Sequence, residues 1–483
     1  MLKGYIYIIA GQVVFVLSNF ILQVFLGRKL GPELYGIFGV INALILMNEY
    51  MLLKGVFDTL SKFVAEKEEA AKTILRVALK VVGVAGVIIG LVYYIFAKPI
   101  AVLMNDLQLS KYFQIIAVVI PITCISTIFL GVLNGLRKFR EQALVQITFS
   151  ITRCIAVITL VALGFSVQGA FVGLIIAELF RLAVSRIVAK SIKADSRFDS
   201  KGILRFGLQV LAIAFISSAV MYMDLLSVKI LLKNDFQTGL YNAAMTISKV
   251  MLLFIVPISI VILPTLSKLI SNNNLEQTSW HIQQALRLLM ILVLPITLMI
   301  VATSGDCLSL LFGKEYVSAS LTLKILMLGA IFLSAKVVLF NVIIASGLPR
   351  YVIYIGILSI VMEIVLLMTF VNRFGISGAA AASAITHLLG FLISYAYVSS
   401  RFTGFKIPIF AIRIGLAAIT IYLLATFYSP SGIMLLFYYG VLLFFFFSLL
   451  VIMKEIKLED LKLALAKAWK TDRTDQMTDT FSP

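Results

Sequence analysis

Charge is what this sequence lacks most. Asp, Glu, Lys and Arg supply 13% of its 483 residues, about half the share found in soluble domains. Too little polar surface is left to clothe a soluble protein of this length, so the surface has to face an apolar solvent. Histidine is nearly absent. His281 and His387 stand far apart, which leaves little for metal or general-base chemistry. The three cysteines, Cys124, Cys154 and Cys307, show neither metal-ligand spacing nor a disulfide pattern. No Gly-rich loop with a following lysine is present to cradle a phosphate, so ATP hydrolysis by this chain is not expected. The segments between apolar runs are too short for a catalytic domain. The chain is expected to be no enzyme and to need no cofactor and no resident metal.

Hydrocarbon is what it has in excess: 61% of residues are hydrophobic and mean hydropathy is +1.06. Apolar stretches of about 20 residues recur from end to end, the length a helix needs to cross a bilayer. They are continuous rather than alternating, which argues against a β-barrel. The first run, Tyr5 to Leu26, is too long for a signal-peptide core and has no small-residue cleavage site after it. It reads as an uncleaved span. The expected fold is an all-α polytopic membrane protein of about fourteen spans. Their approximate limits are 4–27, 35–57, 73–97, 112–133, 142–163, 168–189, 205–232, 240–263, 283–304, 321–345, 351–371, 377–399, 407–428 and 432–453.

The net charge is +18. In a soluble protein that balance would point to nucleic acid; here the basic residues lie mostly between spans, so no nucleic-acid partner is expected. Alternate loops hold Lys62, Lys67 and Lys72; Arg137, Lys138 and Arg140; Lys190, Lys193, Arg197 and Lys201; Arg350; then Arg401 and Lys406. The intervening loops are sparser. By the positive-inside rule the chain is multi-pass in the cytoplasmic membrane, with both termini cytoplasmic.

The chain repeats itself. Leu34-Tyr35 and Thr59-Leu60-Ser61-Lys62 recur as Leu240-Tyr241 and Thr265-Leu266-Ser267-Lys268. One offset aligns both ends without a gap. Weaker echoes pair Gly135-Leu136 with Gly347-Leu348, and Gly169-Ala170 with Gly378-Ala379. Spans 1–6 thus recur as spans 7–12, and an even number per unit gives both copies the same orientation. The expected organisation is an N-terminal lobe (1–195), a second lobe (196–402), an added helix pair (403–453) and a tail (454–483), with a central cavity between the lobes. In the tail, Leu458, Leu461, Leu465 and Trp469 share one helical face, as in a helix lying on the membrane. Disorder is expected beyond it.

Ionisable residues inside spans each cost roughly 2.5–3.5 kcal/mol on insertion scales and usually face a cavity or a partner. Here they are Glu49 and Lys54, Arg153, Glu178 and Arg181, Asp224, Lys249, Lys336 and Glu363. Glu178 and Arg181, three apart, suit a structural pair. Lys54 and Lys229 lie near span ends, where Lys snorkels. Arg153, Lys249 and Lys336 are deeper. They either face a cavity or pair with Asp224 and Glu363. Gln12, Asn19 and Gln23 form a polar stripe on span 1, suited to helix–helix hydrogen bonding or to lining a cavity. His387 reads as a packing residue, with proton coupling as the alternative. A cavity with several cations suits an anionic cargo, since phosphates accept charge-assisted hydrogen bonds from Lys and Arg.

The run Leu30-Gly31-Pro32-Glu33-Leu34-Tyr35-Gly36 resembles a Gly-x-x-x-Tyr-Gly turn common in the polysaccharide-biosynthesis flippases of the multidrug/oligosaccharidyl-lipid/polysaccharide exporter superfamily. Asp224-Leu225-Leu226 followed by Gly239-Leu240-Tyr241-Asn242-Ala243-Ala244 is similar to that family's second-lobe run. The resemblance covers nearly the whole chain. It implies a V-shaped pair of six-helix lobes that open alternately inward and outward, driven by membrane potential or an ion gradient. The implied cargo is a polyprenyl-pyrophosphate-linked oligosaccharide, held in lipid by its tail and supplied or consumed by glycosyltransferase or polymerase partners. Spans 1, 2, 7 and 8 would line the cavity, which favours Glu49, Lys54, Asp224 and Lys249. The substrate-binding candidates are these four with Arg153, Lys336, Gln12, Asn19, Gln23 and Lys229; the coupling candidates are Asp224, Glu363 and His387. Competing readings are a lipid II flippase, a cation-coupled multidrug exporter and a membrane-embedded glycan polymerase or ligase.

Overall fold

The computed structural model describes residues 2–190, 192, 201–402, 409–428 and 430–455, and these form helices joined by short turns. The expected interfacial helix and most of the tail lie outside the described residues. The first half of the chain contributes α1 (Leu2–Leu52), α2 (Asp58–Glu66), α3 (Ala71–Ile95), α4 (Ala97–Leu103), α5 (Leu109–Gly135), α6 (Phe139–Leu160) and α7 (Ser166–Ala189). The second half contributes α8 (Lys201–Leu232), α9 (Asp235–Ser248), α10 (Leu252–Ser271), α11 (Leu275–Ala302), α12 (Ser304–Leu311), α13 (Ser320–Ala345) and α14 (Pro349–Arg401). Then follow α15 (Ile409–Phe427) and α16 (Met434–Ile452).

Among the described residues, 11 helical stretches are long and apolar enough to cross a membrane, where hydropathy led us to expect fourteen. The difference has a geometric cause. Three stretches run on through a reversal of direction: Ala10–Glu66, Phe139–Ala189 and Pro349–Arg401. The first and third turn at glycines in the left-handed region, Gly31 at φ 74° and Gly375 at φ 58°. The second turns at Gly164, φ 95°, inside the π-helical segment Val161–Phe165. Only a residue without Cβ takes such angles freely. In α14, Ser383 bonds Glu363 at 3.0 Å, although a separation of 20 positions along a straight helix would hold them about 30 Å apart.

Large apolar side chains lie exposed along these helices, among them Ile88, Leu91 and Ile95 on α3 and Phe437, Phe444 and Ile452 on α16. Exposed hydrocarbon on this scale has to meet lipid. The protein is a multi-pass membrane protein. Its main core runs continuously through both halves. A smaller core, with Ile291 and Met299 of α11 against Ile414, Ile421, Leu442 and Phe446, seats α15 and α16 on the second half. Glu455 closes that junction through Arg287 (3.1 Å) and Arg413 (3.0 Å).

The two halves meet along α1, which packs against α8 and α9. The contact is backbone-close. A Cβ on Gly36 would lie 2.2 Å from the Asp235 carbonyl oxygen, and one on Gly239 would lie 1.8 Å from that of Pro32. Small residues permit this approach between membrane helices. Toward the other end of the seam, Leu211 fills the space beside Gly55, and Phe206 packs edge-on to Phe63 beneath the Lys62 ammonium.

Candidate functional site

The second half holds a small cavity of about 50 Å³ between α8, α9, α10, α13 and α14. It is lined largely by apolar side chains, with Asp224, Ser248, Lys249, Ser383 and His387 as its polar groups. Span 8 puts Lys249 there through a local change of helix type: α9 ends at Ser248 and the 3₁₀ turn Lys249–Met251 follows. The ammonium sits 3.7 Å from the centroid of the Tyr222 ring. Among the described residues no atom accepts a hydrogen bond from it. A cation over an aromatic face is stabilised by about 0.5–2 kcal/mol. That is well short of the several kcal/mol that desolvating an ion costs. Lys249 therefore fronts the cavity with its hydrogen-bonding capacity unspent.

Asp224 is held differently. Its Oδ2 accepts from the Tyr241 hydroxyl at 2.7 Å and from Ser383 Oγ at 3.3 Å, and its Oδ1 accepts from the Leu225 amide at 2.7 Å. Ser383 also reaches Glu363 Oε1 at 3.0 Å. One hydroxyl proton thus serves two carboxyl groups, and Glu363 Oε2 has no hydrogen-bond partner among the described residues. Lys336 lies 3.3 Å from His387 Nδ1. An ammonium only donates, so this nitrogen is the acceptor and the ring proton sits on Nε2. Two alternatives were open for the deep basic groups of this half, facing a cavity or pairing with Asp224 and Glu363. No direct ion pair with either acid is seen among the described residues: hydroxyls hold the acids, an imidazole holds Lys336, and Lys249 lines the cavity.

The first half gathers its own cluster. Arg181 pairs with Glu178 at 2.7 Å and with Glu49 at 3.6 Å, and its guanidinium lies 4.5 Å from the Phe149 ring centroid. The Glu178–Arg181 pair is the one their spacing on a single helix allows. Arg153 donates to Asn19 Oδ1 at 3.2 Å and sits between the rings of Phe15 and Phe149, 5.1 and 5.3 Å away. Glu49 and Arg153 are thus in one cluster, with no part of the second-half cavity.

The remaining candidates disperse. Gln12 is exposed. Gln23 is buried and accepts from the Tyr35 hydroxyl at 2.9 Å. Lys54 is half-exposed and reaches Asp58 at 3.4 Å. Lys229 points away from the cavity, to Asp106 at 2.8 Å and to Asp235. The cysteines are free, and burial pushes the Cys307 thiol up to about 12, which leaves it unreactive. The sequence reading missed Ser383, Tyr241 and Asp106. Only Tyr241 carried a signal, its place in the repeated Leu-Tyr pair.

Residues 25–321 match the family of polysaccharide biosynthesis proteins. This chain belongs to that family. A provisionally described low-salt glycan biosynthesis flippase, Agl15, from Haloferax volcanii is 24% identical over 382 residues, spanning 78% of this chain and 79% of its own length. A protein from Shigella flexneri, provisionally described as an O-antigen transporter, is 26% identical over 397 residues, 76% of this chain and 90% of its own. Among solved structures, the lipid II flippase MurJ in an inward closed conformation superposes with a TM-score of 0.75 at 17% identity, covering 95% of this chain and all of that one. The polytopic helical fold is therefore shared.

Proposed function

We propose that this chain flips a lipid-linked glycan, a polyprenyl-pyrophosphate oligosaccharide or related glycolipid, across the cytoplasmic membrane by alternating access, for cell-surface polysaccharide assembly. In this reading the halves are two parallel six-helix lobes, 1–195 and 196–402, and α15–α16 are an added pair; the limbs of the three reversing helices count separately, giving fourteen passages with both termini cytoplasmic. The chain moves its cargo and leaves it chemically unchanged. Glycosyltransferases supply the cargo and a polymerase or ligase consumes it.

The observation that carries the reading is Lys249, a buried ammonium without an acceptor beside a cavity, in a chain related to a glycan flippase and an O-antigen transporter. An anionic diphosphate link offers the charge-assisted hydrogen bonds that the protein does not. Asp224 and Glu363, joined by Ser383, together with His387, are the coupling candidates. Proteoliposomes carrying a fluorescent polyprenyl-diphosphate glycan test the assignment. Lys249→Ala should lower flipping at least tenfold at equal membrane levels, and Lys249→Arg should keep a measurable part of it. Flipping by Lys249→Ala at the normal rate would refute the role.

A further inference from the structure

One group of polar contacts between the halves lies at the end of the seam away from the N-terminus, outward in the proposed orientation. Tyr316 donates to the Gly27 carbonyl at 2.7 Å, with Phe312 packed on the same glycine. Arg28 donates to the carbonyls of Leu310 and, at 2.7 Å, Leu311, at the C-terminal end of α12. Deepest among them is Lys229, 2% exposed, whose ammonium binds one carboxylate from each half. Asp106 belongs to the first half, Asp235 to the second.

Local chain geometry builds this three-residue site. Asn105, at φ 54°, turns the chain so that the Asp106 amide caps the Ala101 carbonyl at 3.0 Å. Asp106 Oδ1 then accepts from the Gln108 amide at 3.0 Å, leaving Oδ2 for Lys229. Lys233, at φ 52°, ends α8, and Asn234 caps α9 through the Gln237 amide at 3.0 Å. That turn brings Asp235 back over Lys229, six positions earlier in the chain.

We infer that Lys229 is a two-position latch, bound to Asp106 and Asp235 when this end is closed and to Asp235 alone when it opens. A lone interlobe pair would strand a buried ammonium each time the lobes parted, at a cost of several kcal/mol. A second acid on the same lobe removes that penalty, because Lys229 never loses its last counter-charge. Opening then costs one shared ion pair rather than an isolated ion. Asp106 favours the closed end; Asp235 makes opening affordable.

The inference rests on the alternating-access part of the proposed function, yet its test needs no cargo. Spin labels at the exposed positions Glu33 and Lys314, one on each half, report the gap by double electron–electron resonance in nanodiscs. Asp106→Asn, which keeps an acceptor for Gln108, should raise the long-distance fraction at least fivefold. Asp235→Asn should hold it at or below the wild-type level, and Lys229→Arg should resemble wild type. The latch is overturned if Asp106→Asn leaves the distribution unchanged, or if both acid variants lengthen it alike. A latch response that persists in a Lys249→Ala background separates this outcome from failure of the transport reading.

Discussion

Alanine at Gly239 is the sharpest mechanical probe of the seam. A Cβ there would stand 1.8 Å from the Pro32 carbonyl oxygen, and ordinary contact begins near 3.4 Å. The two backbones would have to part by about 1.6 Å, the difference of those two values. Neither is the tip of a flexible side chain, so no rotamer change relieves the clash. Overpacking of this kind costs typically 1–3 kcal/mol. The penalty falls only on the state in which α9 touches α1, since a parted seam has room for the methyl group. At about 1.4 kcal/mol per factor of ten, the closed-to-open ratio should fall roughly 5- to 150-fold. The Glu33–Lys314 label pair reads the shift directly. Gly83→Ala is the control, because nothing lies within 4 Å of that position, and alanine is the better helix former. A wild-type distance distribution in Gly239→Ala would refute the reasoning. So would an equal shift in Gly83→Ala, which would show that the labels report general loosening.

Two further outcomes follow from the buried clusters. Arg181→Met leaves Glu178, 1% exposed, without its cation, and should destabilise the protein by about 3–5 kcal/mol; the drop should show in thermal unfolding and be partly restored by adding Glu178→Gln, whereas unchanged melting would mean the pair is hydrated. On the span 1 stripe, Gln12→Cys should react with a water-soluble maleimide and Gln23→Cys, whose position is buried behind Tyr35, should not; equal rates would mean that water fills the seam.

Hydropathy exposed the helices because lipid leaves the backbone no other way to satisfy its polar groups. It placed the three reversals as loops, since composition cannot show that a helix resumes within a residue or two of a left-handed glycine. Glu178 with Arg181 was readable because both lie on one helix, where spacing fixes which side chains meet. Lys229 was not. Its partner Asp106 lies 123 residues away on the other half, and nothing local distinguishes that residue from any loop acid. Ser383 was equally invisible, since small hydroxyl residues are common in membrane helices and only the fold brings this one between two carboxyl groups. Lys249 was picked out by its depth and by the cavity-lining spans that the family resemblance implied. Its lack of a partner is a property of the packing, and so could not be read before the packing was known.

The clusters in the two halves are the same brace built with opposite sign. Gly169 contacts the Phe165 Cβ and the Leu160 carbonyl, and Gly378 contacts the Phe374 Cβ and the Phe370 carbonyl. Leu160 and Phe370 therefore correspond, the π-helical turn Val161–Phe165 accounting for the one extra residue on the first side. Counting back seven positions from each matches Arg153 with Glu363; counting on nine from each glycine matches Glu178 with His387. Both central groups reach the first helix of their own half: Arg153 directly through Asn19, Glu363 through Ser383 to Asp224. In the first half the Arg153 guanidinium lies between two aromatic faces and bonds Asn19. Among the described residues Arg153 Nε and Arg181 Nε have no hydrogen-bond partner, while Arg181 Nη2 and Glu178 Oε2 meet as an ion pair at 2.7 Å. The second half keeps a free carboxyl oxygen on Glu363 and a free ammonium on Lys249, beside a cavity. Buried groups left unsatisfied cost about 1–3 kcal/mol each, and more when charged. The first half thus sets its buried acids against a guanidinium, whereas the second holds Asp224 and Glu363 through hydroxyls and leaves the Lys249 ammonium without an acceptor among the described residues.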